Sequence, residues 1–325
     1  MPALKLLLPT LFLILTASCS SLSTDSEHGI SCQRIEADIH WGALSGLSID
    51  TTHEDVLYAV HDHNLPHPEI LVLDVSGDQA IVTHSIPVLL NGAEPPYDLE
   101  GITHRSEGGF WLASEGKRGQ GRPNLIVRTD ESGNVLEEIA LPKYMASIRT
   151  KAGFEGITVN GTDTAEEVLV IFQRSWPDDP EGTLKIGRYH VHNKQWKFYR
   201  YPLDARKGTG ASSITTLSDN SFLLLERDNR PFHKARIKRI YSVTLPDDTE
   251  SRSPPPTLNK TLVLDLLGAY NPLLCGTNGK LEGMTLSPEG KLYLVADDDG
   301  KSDAMLLEVS NLFTTHARTF NRKHQ

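Results

Sequence analysis

The chain has 325 residues, 38% hydrophobic and 23% charged, a composition of the soluble globular kind and long enough for one large all-β domain or two ordinary ones. The formal net charge of −10 excludes sequence-independent nucleic-acid binding, which needs a basic footprint, and suits a surface that binds cations.

The first predicted element is a processing segment. Lys5 precedes an apolar run, Leu6 to Leu15, interrupted only by Pro9 and Thr10. The run is too short to span a bilayer and has the character of a signal-peptide core. It ends in Leu15-Thr-Ala-Ser-Cys19, which resembles a bacterial lipobox with Thr16 where Leu is usual. Residues 1–18 are therefore expected to be a lipoprotein-type signal peptide. Cys19 would carry the lipid (palmitate-type acyl chains), and residues 19–29 would form a flexible tether. The expected location is the bacterial cell envelope, on the periplasmic side and anchored to a membrane; the alternative is ordinary signal-peptide cleavage nearby. Cys32 and Cys275 then remain, and an oxidising compartment permits a disulfide between them, against an alternative of two buried thiols.

Residues 30–318 read as a single domain, with 319–325 a polar tail. The segment from Ile30 to Ile39 is a strand without a local partner. A short phrase then returns along the chain. It begins as Leu44-Ser-Gly-Leu-Ser48 and becomes Asp98-Leu-Glu-Gly-Ile-Thr103 and Gly153-Phe-Glu-Gly-Ile-Thr158. It keeps only its frame in Gly210-Ala-Ser-Ser-Ile-Thr215, and returns in full as Lys280-Leu-Glu-Gly-Met-Thr285. Gly46, Gly101 and Gly156 are spaced 55 residues apart, a period of repeated supersecondary units. After each phrase comes an apolar strand: Val56 to His61, Phe110 to Glu115, Val168 to Gln173, Phe222 to Glu226, Leu292 to Asp297. Further strands are expected at Asn124 to Thr129, Ile186 to His192, Arg239 to Leu245 and Met305 to Val309. Four-stranded units of this length predict an all-β fold, a β-propeller of five blades. A sixth blade is possible if the gap between Ser213 and Gly283 hides one; Pro246 to Leu258 reads instead as an inserted loop. The last unit runs out of sequence after about three strands, so the N-terminal strand is expected to close the ring.

In such a ring the first strand of each blade lines the central channel, where crowding requires glycine. Glu100, Glu155 and Glu282 would sit together at one mouth. Converging carboxylates repel and must take up protons or share a cation. Calcium is the natural occupant, since it accepts six to eight oxygens in flexible geometry. Glu100, Glu155 and Glu282 are candidate ligands or general base, and Asp98, Glu115 and Asp297 candidate further ligands. The alternative is that each Glu rivets its blade to the next. Lys117, Arg118, Arg174, Arg227 and His61 follow or end second strands and are candidates to hold substrate charge, which points to a small anionic substrate such as a phosphoester. His61-Asp-His63 is a weak transition-metal signal.

The phrases Asp-Leu-Glu-Gly-Ile-Thr, Phe-Trp-Leu-Ala-Ser-Glu, Gly-Phe-Glu-Gly-Ile-Thr and Leu-Glu-Gly-Met-Thr, in that order, resemble the phytase-like family (esterase-like activity of phytase), from about Leu44 to Ser310. The resemblance implies a propeller and the hydrolysis of phosphoesters or esters. In the related β-propeller phytases, calcium ions and basic groups grip phosphates and activate a water. Two functions follow. One is a monomeric, calcium-dependent hydrolase working at the channel mouth; the other is a non-catalytic, metal-stabilised binding or scaffold propeller at the cell envelope.

Overall fold

The computed structural model describes residues 29–39, 41–62, 67–116, 122–162, 165–204, 208–246, 253–269, 279–297 and 304–313. Cys19, the leader, the rest of the tether to His28 and the tail lie outside these residues, as do Cys275, His63, Lys117 and Arg118; Gly29, expected to end the tether, instead opens the first strand. No helix among the described residues is long and apolar enough to cross a membrane.

Strand β1 (Gly29–Ala37) comes first. Four-strand runs then follow: β2 (Leu44–Ile49), β3 (Val56–His61), β4 (Glu69–Asp74), β5 (Ala80–Pro87); and β6 (Leu99–His104), β7 (Phe110–Ser114), β8 (Leu125–Thr129), β9 (Val135–Ala140). After the six-residue helix α1 (Lys143–Ile148) come β10 (Phe154–Asn160), β11 (Glu167–Phe172), β12 (Thr183–His190) and β13 (Gln195–Pro202). Next are β14 (Thr209–Ser218), β15 (Ser221–Asp228), β16 (Lys238–Thr244) and β17 (Lys260–Asp265), then the four-residue helix α2 (Leu266–Ala269). The chain ends with β18 (Lys280–Leu286), β19 (Leu292–Asp297) and β20 (Met305–Ser310).

The three middle runs each form a four-stranded sheet in simple meander order. The remaining strands form one eight-stranded sheet, ordered β18-β19-β20-β1-β5-β4-β3-β2. Strand β1 is the joint of that sheet. Its first part pairs antiparallel with β20, placing Cys32 opposite Leu307. Its last part runs parallel to β5, Ile35 to Ala37 against Ala80 to Val82. The N-terminal strand thus supplies the fourth strand that β18–β20 lack. The first strands β2, β6, β10, β14 and β18 touch their neighbours in a closed cycle, the arrangement of a propeller.

The apolar runs follow from this geometry. A strand between two neighbouring sheets is buried on both faces, so it loses the polar alternation of a half-exposed strand. In β3, Leu57 and Ala59 face the sheet of β19 and β20, while Tyr58 and Val60 face that of β6 and β7. In β11, Val168, Val170 and Phe172 pack one way and Leu169 and Ile171 the other.

At the axis the backbones themselves touch. A methyl group on Gly101 would lie 2.9 Å from the Ile157 nitrogen and 3.1 Å from the Gly156 Cα. One on Gly46 would lie 2.8 Å from the Gly101 Cα. The fourth copy carries Ser213 there, whose hydroxyl accepts from the Met284 nitrogen at 3.0 Å. Outside, loops cover otherwise open edges. Leu258 N donates to Arg200 O and Arg200 N to Pro256 O, lacing the end of the inserted loop onto β13.

Candidate metal centre at the channel mouth

Each first strand carries an irregularity at the same place. The register of β2 slips between Leu44 and Gly46, of β6 between Leu99 and Gly101, and of β10 between Phe154 and Gly156. The same slip lies between Ala211 and Ser213 in β14 and between Leu281 and Met284 in β18. The skipped residues include Ser45, Glu100, Glu155, Ser212 and Glu282. A bulge bends the strand and re-aims a side chain, here in every copy of the phrase. A repeated clasp brings the residue after the second strand to the same mouth. Asp62 N donates to Ala43 O at 3.0 Å, Glu115 N to Asp98 O at 2.8 Å, and Gln173 N to Gly153 O at 3.0 Å.

Ser45, Glu100, Glu155 and Glu282 of the first set and Asp62, Glu115 and Gln173 of the second line a cavity of about 160 Å³, with Arg227 and Lys280 among them. One carboxylate oxygen from each of Asp98, Glu100 and Glu115 lies within 4.8 Å of the other two. Oxygens around one calcium sit about 2.3–2.6 Å from it, so opposite ligands stand about 5 Å apart. The spacing of the trio is compatible with one metal ion. Two of the three carboxyls are held in place: Ser45 Oγ donates to Glu100 Oε2 at 2.5 Å and Gly153 N to Glu115 Oε1 at 2.9 Å; at Asp98 it is the backbone nitrogen that donates, to Ser114 Oγ at 3.1 Å.

Burial pushes the Glu100 carboxyl well above its ordinary range, and the charges of Glu155 and Glu115 add to the push; the Ser45 hydroxyl works against it. Burial likewise raises Glu155, with Glu282 adding to it and Arg227 opposing. Glu155 accepts a hydrogen bond from Gln173 Nε2. Arg227 is 5% exposed. Burial works against its charge, but Glu282 and Glu155 more than compensate and hold its pKa above the usual value. Its guanidinium donates to Glu282 Oε2, to Asn229 Oδ1 and, at 3.0 Å, to Leu281 O. Behind it, Lys238 is brought down to about 8 by burial and by Arg227, with Asp228 opposing.

Glu100, Glu115 and Asp98 therefore form one group with Glu155 beside it, while Glu282 is tied to Arg227. Arg227, read from the sequence as a substrate grip, spends its donors inside the protein. Arg174 lies in a neighbouring hollow of about 510 Å³ with Lys151, Glu115 and Gln173. His61 is buried and lines a hollow on the other side of the centre. Asp297 ends β19, its backbone opposite Lys280. The positions at the cavity in the first and third units are Asp62 and Gln173, each one residue from the His61 and Arg174 chosen from the sequence. Aligning the residue directly after each second strand would have found them.

In overall form the protein resembles a gluconolactonase from Xanthomonas campestris, at 12% identity and a TM-score of 0.46, covering 83% of this chain and 86% of that one. It also resembles the calcium-binding protein regucalcin from Agrobacterium tumefaciens, at 12% identity and a TM-score of 0.41, covering 82% and 77%. A search of curated proteins returned no match. Residues 39–300, which span the repeated phrases, the clasps and the acidic cavity, match the family described as phytase-like, esterase-like activity of phytase, and the chain belongs to that family.

Proposed function

We propose that the protein is a calcium-dependent hydrolase of ester or phosphoester bonds, working at the channel mouth of a five-bladed propeller. What carries this function is the meeting of two kinds of carboxyl in one cavity. Asp98, Glu100 and Glu115 are spaced for a cation, and Glu155 beside them has a raised pKa. Bound by that trio, calcium would polarise a phosphoryl or carbonyl oxygen and acidify a water. Glu155 would take a proton from the attacking water or return one to the leaving group, since a raised carboxyl pKa suits both at neutral pH. The Gln173 amide orients it. Arg174 and Lys151, in the adjoining hollow, would hold negative charge on a small anionic substrate. The Arg227–Glu282 pair closes the far wall and shapes the cavity.

Five blades are supported by reading the eight-stranded sheet as two blades joined at β1 and β5. A sixth would need four more strands between Ser213 and Gly283, where the described residues hold the single sheet of β14–β17. The lipobox-like Leu15-Thr-Ala-Ser-Cys19 supports export and a lipid anchor facing the periplasm, and the working unit would be a monomer. A Cys32–Cys275 disulfide fits the place of Cys32 on the closing strand.

The test uses the anchor-free protein with phosphomonoesters, phytate, aryl esters and lactones, with calcium or a chelator. Turnover that needs calcium and disappears in Glu155→Gln, with the melting temperature retained, supports the hydrolase. Absence of turnover on all of these, with calcium raising only the melting temperature, would leave a metal-stabilised binding propeller.

A further inference from the structure

The two ends of the propeller carry opposite charge. The acidic cavity opens at the end where first strands begin and second strands finish. Around it, loops of three successive sheets carry cations: Lys143 and Lys151 between β9 and β10, Arg174 between β11 and β12, and Arg230, Lys234 and Arg236 between β15 and β16. Arg174 is half-buried and the other five are exposed. None of the six forms an ion pair with a carboxylate among the described residues. Most acids of the same loops are already engaged. Asp178 and Asp179 hold Lys185, and Asp228, at the end of β15, holds Lys238, which leaves Glu181. The opposite end is the reverse. Glu54, Asp55, Asp78 and Glu289 are exposed there, while Arg105, Lys194 and Lys291 are paired with Glu166, Glu137 and Glu308. A protein of net charge −10 thus shows a basic rim at one end, around the mouth.

Six cations on the loops of three sheets do not converge on one small ion. They make a broad field, and a broad field of Lys and Arg suits an extended anionic surface. A bilayer is within reach. Ten residues, 19–28, lie between the end of the leader and Gly29, and a chain of ten extends to at most about 35 Å. Gly29 lies opposite Ser310 at the acidic end, and β1 climbs from there until Arg34 lies opposite Met305. Met305 stands opposite Ala296, and Ala296 opposite Leu281, the neighbour of Glu282 in the cavity wall. The climb from Gly29 to Arg34 covers about 17 Å of strand. A tether of this length can therefore pass beside the propeller and leave the mouth against the membrane. The anchor keeps the rim at high local concentration near lipid, so a modest attraction is enough to set which way the protein lies.

We propose that the basic rim of the mouth is a docking surface for an anionic lipid bilayer, on which the protein lies with its cavity facing the headgroups. The acidic end then faces away from the lipid, where its charge is not crowded against charge of the same sign. The tether's part in this rests on the reading of an exported, anchored protein; the rim's part does not.

The test is co-sedimentation of the anchor-free protein, made as Cys19→Ser without the leader and with stoichiometric calcium. The vesicles are phosphatidylcholine alone, or phosphatidylcholine and phosphatidylglycerol in equal parts. The protein should bind the mixed vesicles only, and high salt should release it. A cation beside an anionic surface adds about fivefold in affinity, so Arg230→Glu, Lys234→Glu and Arg236→Glu together should weaken binding about a hundredfold or more. If that variant does not fold, Lys143→Glu, on the loop of another sheet, should weaken it about tenfold. Asp78→Asn, at the acidic end, should not weaken it. No binding to the mixed vesicles, or binding that the charge reversals leave unchanged, overturns the docking surface. Binding of inorganic tripolyphosphate without binding of vesicles also overturns it and gives the rim to a soluble anion. Vesicle binding of the expected kind, with native Cys19 found unmodified by mass spectrometry, keeps the docking surface and sinks the anchor; a lipidated Cys19 without vesicle binding does the reverse.

Discussion

Arg227→Met tests whether the cationic wall of the cavity is structure or substrate grip. The arginine is 5% exposed and its guanidinium meets Glu282, Asn229 and the Leu281 carbonyl. Methionine keeps most of the volume but takes the paired guanidinium away from the Glu282 carboxylate, whose charge acts on Glu155. Removing one member of a buried ion pair costs about 3–5 kcal/mol, most of it from the charge left behind. Glu155, whose carboxyl Arg227 now draws down against burial, will rise further above its ordinary range in the variant and relieve part of that cost by taking a proton. A carboxyl shifted upward contributes stability that is present below its unfolded pKa and lost as pH rises through the folded one. The variant's deficit should therefore shrink towards pH 5 and be largest at pH 7.5. Equilibrium urea unfolding of the calcium-free protein at both pH values measures it. The double variant Arg227→Met, Glu282→Gln should recover at least half the loss. A deficit below about 1 kcal/mol at pH 7.5, as for an exposed pair, would refute the reasoning, as would a double variant no better than the single.

The wild-type protein has its own pH signature. Burial raises both Glu100 and Glu155, so without calcium the melting temperature should fall as pH rises from 5 to 7.5, below the range where Lys238, at about 8, titrates. Saturating calcium should flatten or reverse that slope, because the ion replaces the protons; an identical slope in chelator and in calcium would count against the metal centre. Gly101→Ala should destabilise by about 1–3 kcal/mol or more, since its methyl would press on backbone that cannot step aside; chemical unfolding with a loss under 0.5 kcal/mol (about the spread of surface substitutions) would mean the ring can breathe. Non-reducing peptide mapping should recover Cys32 joined to Cys275, and a free-thiol count unchanged by reduction would exclude the bond.

Much of the scaffold was legible because inner strands are buried on both faces. The runs Val56–His61 and Leu292–Asp297 coincide with β3 and β19 to the residue. The outer strands were harder to see. β5, β9, β13 and β17 are half-exposed and interleaved with charge, so nothing in their composition separates them from loops. The candidate site was legible in its first-strand half. Glu100 and Glu155 lie in the repeated phrase, and both line the cavity. Its second-strand half was read one residue out in two units, because the phrase marks where a strand ends but not which side chain the clasp turns inward.

The sequence by itself determined the repeat, the glycine needed where backbones touch, and the placing of acid in only three copies of the phrase. It could do so because period and residue type are local properties. Only the tertiary structure decided what each acid meets. Bulges turn the three glutamates to one mouth, yet Glu100 joins Asp98 and Glu115 while Glu282 is taken by Arg227, 55 positions away in the chain. A charge's role is set by its nearest neighbours, and in a closed ring those neighbours come from other turns of the repeat.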